Sequence, residues 1–324
     1  MPRPGTSGTI DRVPSLPALP RDLPPGVRAM AARGEAWAAY VDALPRLLRE
    51  LSEEWGLTAE PDEPGGEVAH GFASVVVPVR REGEPAVLKL GFPDEESEHE
   101  ALALQRWGGE GAVRLLAADP RRRALLLERL EPTDLGELWD VEACEVVAGL
   151  YARLHRPAPP QLRRLTDVVD RAVPGLRALP RDAPLPHRLV EQALSLIDQL
   201  RADDPGRLLH TDLHYANVLG SVDTAGRGPW LAIDPKPLAG DPHAELAPML
   251  WNRWDELVES WDGVRGAVRR RFHTLVDAAG LDEDRARGWV VVRMVLNAFW
   301  ECQQAAPDRG WITRCVTLAK AVQD

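Results

Sequence analysis

The residues best equipped for chemistry lie in "HTDLHYANVL", His210 to Leu219, where one acid stands between two histidines and an asparagine follows. His210, Asp212 and Asn217 have the spacing of a phosphoryl-transfer loop, His-x-Asp and then Asn after four intervening residues. An Asp at the start of such a loop can accept the proton of a hydroxyl group. An Asn at its end offers a neutral oxygen to Mg²⁺, which prefers hard oxygen ligands. A single triplet of this kind arises by chance too often to stand alone, so its surroundings must decide. Asn217 runs into "VL", a turn rich in Gly, Ser and Asp, and then "WLAID", which predicts a hairpin with Asp234 at the end of its second strand, beside Asn217. Asp234 would be a second hard oxygen, with "DPK" standing where eukaryotic protein kinases carry Asp-Phe-Gly. The rival reading takes "HTDLH" as a Zn²⁺ or Fe²⁺ site, but no third ligand motif such as H-E-x-x-H accompanies it. On the plainer view His210 bonds backbone near the loop and His214 is partly exposed.

Upstream, "AVLKL" puts Lys89 in a strand and Glu100 follows in the next helix. Such a lysine can bind the α- and β-phosphates of ATP when an acid holds its ammonium in place. Glu98 competes for that role, but Glu100 shares a helical stripe with Leu104 and Trp107, which favours Glu100. Taken singly, Lys89 and Glu100 would be read as an ordinary surface ion pair; the acids downstream favour the nucleotide role. The phosphate-covering segment "HGFAS", His70 to Ser74, has one glycine where protein kinases carry three. The Ser74 hydroxyl and backbone amides of residues 72–74 are the groups available to cover phosphates.

These residues need elements to hold them. Residues 1–27 are rich in Pro, Gly and Ser and read as an extended arm. From Val27 to Leu57 apolar residues recur at helical spacing, with Pro45 expected to divide two helices. After the turn signal "EPDEPGGE", strands are expected around 74–79 and 86–90, joined by "REGE". A helix is expected from Asp94 through Trp107, and "AVRLLAADPRRRALLLERL" adds two strands around the Arg121–Arg123 turn, most simply a solvated tip. From Glu131 onward the pattern is helical, in "DVEACEVVAGLYARLHR", "HRLVEQALSLIDQLRA", "AVRRRFHTLVDAAGL" and "RGWVVVRMVLNAFWECQQAA", interrupted by "RLLHTD" and "PWLAIDPKP". Trp251, Trp254 and Trp261 read as one further helix whose aromatics are core, with Asp255, Glu256, Glu259 and Asp262 either solvated or holding a cationic ligand. The expected fold class is α+β and bilobal: an arm over 1–27, N-terminal helices and a small β-rich nucleotide-binding lobe with one main helix over 28–130, and a larger, mainly helical lobe over 131–324.

Bulk chemistry narrows the partners. Fifty acidic against 39 basic side chains give a net charge of −11, which disfavours nucleic acid and anionic membranes and suits a cationic small molecule. Cys144, Cys302 and Cys315 form no C-x-x-C pair and no disulfide framework, so a reduced, cytoplasmic setting is expected. The first residues have no apolar core of the secretory kind, and no run approaches the roughly 18 apolar residues of a membrane span.

With these residues in view, the chain resembles the aminoglycoside and hydroxyurea antibiotic-resistance kinases, particularly the streptomycin 6-phosphotransferase branch of the protein-kinase-like fold. The resemblance rests on "AWAAYVDALPRLLRELSEEWGL", "AVLKLGFPDEESEHEALALQRW", "LLHTDLHYANVL", "PWLAIDPKPLAGDP" and "LAPMLWNRW". It implies Asp212 as catalytic base, Asn217 and Asp234 as Mg²⁺ ligands, Lys89 with Glu100 positioning ATP, and backbone groups around Glu128 to Leu130 meeting adenine. It departs at Glu245 in "GDPHAELAPML", where related members usually carry Asp; the role is either structural or acceptor-binding. The implied acceptor is an aminoglycoside such as streptomycin, its guanidinium groups matched to an acidic cleft. The alternatives are the same chemistry on hydroxyurea or another small metabolite, and a nucleotide-binding pseudokinase, against which stands the presence of every acid and the lysine.

Overall fold

A computed structural model describes residues 23–59, 68–221 and 226–323. Chain packing divides it into two compact units, between Phe92 and Pro93. In the first unit, helix α1 (Pro25–Ala29) opens on proline, a short 3₁₀ turn follows, and α2 (Glu35–Trp55) is one continuous helix. The break therefore falls at Gly34, whose φ of 142° few other residues adopt, and not at Pro45. Pro45 removes one backbone donor, but the buried stripe Tyr40, Val41, Leu44, Leu48 and Leu51 runs straight past it and holds the helix together. Val27, expected at the end of the arm, is fully buried within α1; the rest of the arm through residue 22 and the "EPDEPGGE" turn lie outside the described residues.

Strands β1 (Leu57–Ala59) and β2 (Ala69–His70) both pair antiparallel with β3 (Ser74–Arg81), which forms a hairpin with β4 (Glu84–Gly91). The hairpin closes through Glu82 and Gly83, both at positive φ, the two-residue turn whose twist matches that of the strands. Tyr40 donates to the Leu90 carbonyl at 2.7 Å and Trp37 stacks on Phe92, so α2 is fastened to β4.

The second unit begins with a segment expected to be helical that is not. Asp94 accepts hydrogen bonds from the backbone and hydroxyl of Ser97, both at 2.8 Å, and this local turn delays α3 to Glu100–Trp107. Strands β5 (Leu115–Asp119) and β6 (Ala124–Glu128) form the second hairpin, and Asp119 closes the arginine turn by accepting from the N–H groups of Arg121 and Arg122. Ala103, Leu104, Trp107, Leu125 and Leu127 share one apolar cluster with the helices that follow, which is why the packing boundary lies at residue 92 and not at 130.

Those helices are α4 (Asp140–Leu154), α5 (Leu165–Arg177), α6 (His187–Leu200), α7 (Ala247–Trp251), α8 (Trp254–Glu259), α9 (Gly263–Ala279), α10 (Glu283–Cys302) and α11 (Arg309–Ala321). The four predicted from periodicity are α4, α6, α9 and α10. The tryptophan segment is two helices broken at Arg253, which is left-handed at φ 53°; Trp251 and Trp254 pack on the core, but Trp261 is 91% exposed and is not core. Among them run two short antiparallel pairs, β7 (Arg207–Leu209) with β10 (Leu238–Gly240) and β8 (Val218–Gly220) with β9 (Trp230–Ala232). No helix among the described residues is long and apolar enough to cross a membrane.

Candidate active site

The loop from His210 to Asn217 leaves β7 and is stitched down at nearly every residue. His210 is fully buried; its Nε2 lies 2.9 Å from the Ile233 carbonyl and its Nδ1 faces the N–H of Asp212 at 3.4 Å. Burial lowers its pKa against the pull of Glu245 and Asp212, so the neutral ring donates through Nε2 and accepts weakly at Nδ1. With Nε2 donating to the Ile233 carbonyl and Nδ1 turned to the Asp212 N–H in a fully buried ring, His210 is directed at backbone, as the plainer reading expects, and not at a metal. Thr211 sits in the left-handed region at φ 60°, held there by its hydroxyl, which donates to the Lys236 carbonyl at 2.5 Å.

Glu245 is the main anchor of this turn. Its fully buried carboxylate accepts from the backbone N–H of His210 at 3.2 Å and of Thr211 at 2.7 Å. Arg293 fixes the same turn from the other side, donating to the carbonyls of Thr211 and Ala244. Burial would raise the pKa of Glu245, but nearby His155 and His210 and the Thr211 N–H outweigh it and hold the group below the usual carboxylate range. Its role is therefore structural, and it does not line the cavity described below.

Asn217 ends the loop in a 3₁₀ turn, and its side-chain amide donates to the Asp212 carbonyl at 2.8 Å. The Ile233 N–H donates to the Asn217 carbonyl at 2.9 Å, which brings Asp234, left-handed at φ 57°, next to Asn217 as the hairpin predicted. Asp212, Asn217 and Asp234 are thus brought together. Their amide and carboxylate oxygens are the hard donors that suit Mg²⁺.

The other candidates lie on their own elements. Glu100 opens α3 and is buried with Ala103, Leu104 and Trp107, whereas Glu98 is exposed, in line with the stripe. In the first unit Lys89 is buried on β4 opposite Val76, and Ser74 is buried at the start of β3, with the Gly71 N–H closing onto its carbonyl at 3.0 Å. The Glu128 carboxylate is occupied: Arg227 grips both its oxygens, at 2.5 and 2.8 Å, and the Arg114 N–H adds a third bond. Only backbone groups from Glu128 to Leu130 remain for a ligand, and Leu130 packs partly against the core.

Asp212 lies on the wall of a cavity of about 180 Å³ inside the second unit, lined on its aromatic side by Trp251, Trp289 and Trp300. The wall is not the acidic cleft expected. It carries two carboxylates, Asp212 and Glu96, but three cationic residues, Arg163, Lys236 and Arg293. The Lys236 ammonium lies 3.3 Å from Asp212 Oδ2 and 3.0 Å from Glu96 Oε2. His214, partly exposed, sits 3.9 Å from Asp212 Oδ1. The acids of the tryptophan segment do not reach this cavity: Glu256 pairs with Arg253 and Asp262 with Arg270. Of the two roles expected for Glu245 the structure shows the structural one, while Lys236 and the Arg227–Glu128 pair escaped sequence reasoning. Of these only Lys236 had a local signal, its place in "DPK".

An acid on a cavity wall, flanked by an amide and a second acid on adjoining turns, in a helical unit preceded by a β-hairpin with a buried lysine, defines a phosphotransferase of the protein-kinase-like fold. The model of the aminoglycoside/hydroxyurea antibiotic resistance kinases matches residues 61–305. The chain belongs to that family, and as such is an ATP-dependent small-molecule kinase. It is 45% identical over 309 residues to a streptomycin 6-kinase of Streptomyces glaucescens, covering 91% of this chain and 94% of that one. It is 41% identical over 300 residues to a hydroxyurea phosphotransferase of Kitasatospora aureofaciens, covering 89% and 83%. Among solved structures, the aminoglycoside phosphotransferase APH(4)-Ia in complex with ADP and hygromycin B shares the fold, with a TM-score of 0.54 and 15% identity over 84% of this chain and 97% of that one.

Proposed function

We propose that this protein moves the γ-phosphoryl group of ATP to a hydroxyl of an aminoglycoside of the streptomycin type. The observation that carries the reading is Asp212 on the wall of a tryptophan-lined cavity, in a chain 45% identical to a streptomycin 6-kinase. In this reading residues 28–130 bind the nucleotide and 131–324 hold the catalytic loop and the acceptor. Asp212 orients the acceptor hydroxyl and takes its proton as the new O–P bond forms and ADP leaves. Lys89, held by Glu100, offsets charge on the α- and β-phosphates, Ser74 and its neighbouring amides cover them, and backbone groups from Glu128 to Leu130 bond adenine. Asn217 and Asp234 would hold Mg²⁺, which when bound neutralises charge on phosphate oxygens. In this reading the acceptor is cationic, and Glu96 is the carboxylate of this wall that would meet a guanidinium group.

The same chemistry on hydroxyurea is the second reading, favoured by the 41% identical hydroxyurea phosphotransferase. One experiment separates them. The full chain, given ATP and Mg²⁺, is offered streptomycin, hydroxyurea and choline in parallel, and each acceptor is weighed by mass spectrometry. Streptomycin gaining one phosphate, and losing that gain with Asp212→Asn, is the expected result. Streptomycin left unmodified while another acceptor is phosphorylated overturns the substrate.

A further inference from the structure

Lys236 is mounted with unusual firmness for a lysine on a loop. Pro235 and Pro237 flank it, fixing the backbone on both sides. Its own N–H donates to the His210 carbonyl at 2.9 Å, and its carbonyl accepts from the Thr211 hydroxyl. Both backbone groups are thus tied to the turn that carries Asp212. Its side chain then reaches into the cavity, and among the described residues it is the one lysine or arginine within ion-pair distance of Asp212. The same ammonium bonds Glu96, which lies with Glu95, itself held by Arg163 and Arg171, inside the turn that Ser97 closes onto Asp94.

We infer that Lys236 is a positioning residue for phosphoryl transfer: its ammonium fixes Oδ2 of Asp212, turns Oδ1 toward the acceptor hydroxyl, and through Glu96 pins the segment at residues 94–97 beside the cavity. The inference rests on the reading of Asp212 as the base. Without the ammonium, the neighbouring Asp212 and Glu96 carboxylates, each within 3.3 Å of that one nitrogen, lose the cation that bridges them, since Arg163 pairs with Glu95 and Arg293 bonds the Thr211 and Ala244 carbonyls, and the base swings away. A cationic acceptor then finds two bare carboxylates, so its binding survives while its hydroxyl is misplaced. The signature is a fall in kcat with little rise in KM, the pattern of an interaction used in the transition state and not for ground-state binding.

The test compares Lys236→Met with Lys236→Arg in the full-length chain, following ADP release with ATP, Mg²⁺ and streptomycin, and also ADP release with water as the acceptor. Lys236→Met should lower kcat about 100-fold, the scale of a base displaced by an ångström, with KM for ATP and streptomycin within about two-fold. Lys236→Arg should return kcat to within about ten-fold of the parent, because a cation is restored at slightly altered geometry. A Lys236→Met protein with parental kcat overturns the inference. So does a Lys236→Arg protein as slow as Lys236→Met with an equal loss of thermal stability, since that marks a purely structural role. Asp212→Asn sets the floor of the water reaction. Parental hydrolysis in Asp212→Asn removes the base and this inference with it; hydrolysis at the floor in Asp212→Asn but parental in Lys236→Met removes the role of Lys236 alone. If streptomycin is not an acceptor, the water reaction alone decides by the same criteria.

Discussion

Replacing Glu245 by Gln should both loosen the protein and slow it. The side chain keeps its shape, but one of the two oxygens that accept from His210 and Thr211 becomes an NH₂ group facing a backbone N–H. A hydrogen bond to a charged group contributes about 1.5–3 kcal/mol. Holding Thr211 in the left-handed region costs about 1–2 kcal/mol, so the lost bond is large enough to release the turn. A net effect of about 2–3 kcal/mol corresponds to a fall in kcat/KM of about 30- to 150-fold and a drop in Tm of about 4–12 °C. Thermal unfolding gives the first number; ADP release at a temperature well below the transition gives the second on fully folded protein. Glu245→Asp keeps the charge but shortens the arm, and should fall between. The effect has a pH sign. Because the folded pKa of Glu245 is depressed, its contribution is fully present above the ordinary glutamate value of about 4.3 and is lost as pH falls through the folded pKa. The gap in stability between the parent and Glu245→Gln should therefore narrow on acidification below about pH 4.3. A Glu245→Gln protein with Tm and kcat/KM both at parental values, or a gap that widens in acid, refutes the assignment of Glu245 as the anchor.

Two further outcomes follow from packing. Gly149 in α4 has open space where a Cβ would stand, so Gly149→Ala should gain about 0.5–1 kcal/mol in urea unfolding, whereas at Gly175 in α5 a Cβ would lie 2.4 Å from the Phe299 ring, and Gly175→Ala should lose stability despite the same helix preference; equal effects at both positions would contradict the packing argument. Glu128→Gln should lower stability by about 3–5 kcal/mol, because it leaves buried Arg227 without its counter-charge, yet KM for ATP measured on the folded protein should stay within about two-fold; a large rise in KM without loss of stability would show that the side chain, and not the backbone, meets the nucleotide.

What the sequence made legible was chiefly what is encoded over short distances. His210, Asp212 and Asn217 sit within one turn, and the "VL" to "WLAID" hairpin that brings Asp234 beside Asn217 follows from alternation and turn residues. The β3–β4 hairpin, and the burial of Glu100 where Glu98 is exposed, were readable for the same reason, since period and stripe are local. Contacts between distant segments left no such trace. Nothing in "GDPHAEL" says that Glu245 reaches back to residues 210 and 211, and nothing near Glu128 announces Arg227, 99 positions on. Where local rules misled, tertiary burial or a side-chain turn prevailed: Pro45 rides inside α2 on a buried stripe, and Asp94 spends its carboxylate on Ser97 instead of opening a helix. The expectation of an acidic cleft failed because net charge is a property of the whole surface, while the cavity brings Arg163, Lys236 and Arg293 to one place.

The two halves of the cavity wall hang from different supports. Asp212 comes from a turn clamped by Glu245 and the Lys236 backbone, whereas Trp251, Val168, Leu296 and Trp300 come from the surfaces of α7, α5 and α10, and of that side Arg293 on α10 also bonds the turn. Reshaping the helical side by ordinary apolar replacements leaves the clamp untouched. On the proposed reading of this cavity as the acceptor site, replacing a few hydrophobic side chains there changes which molecule is held and leaves the turn that carries Asp212 as it is.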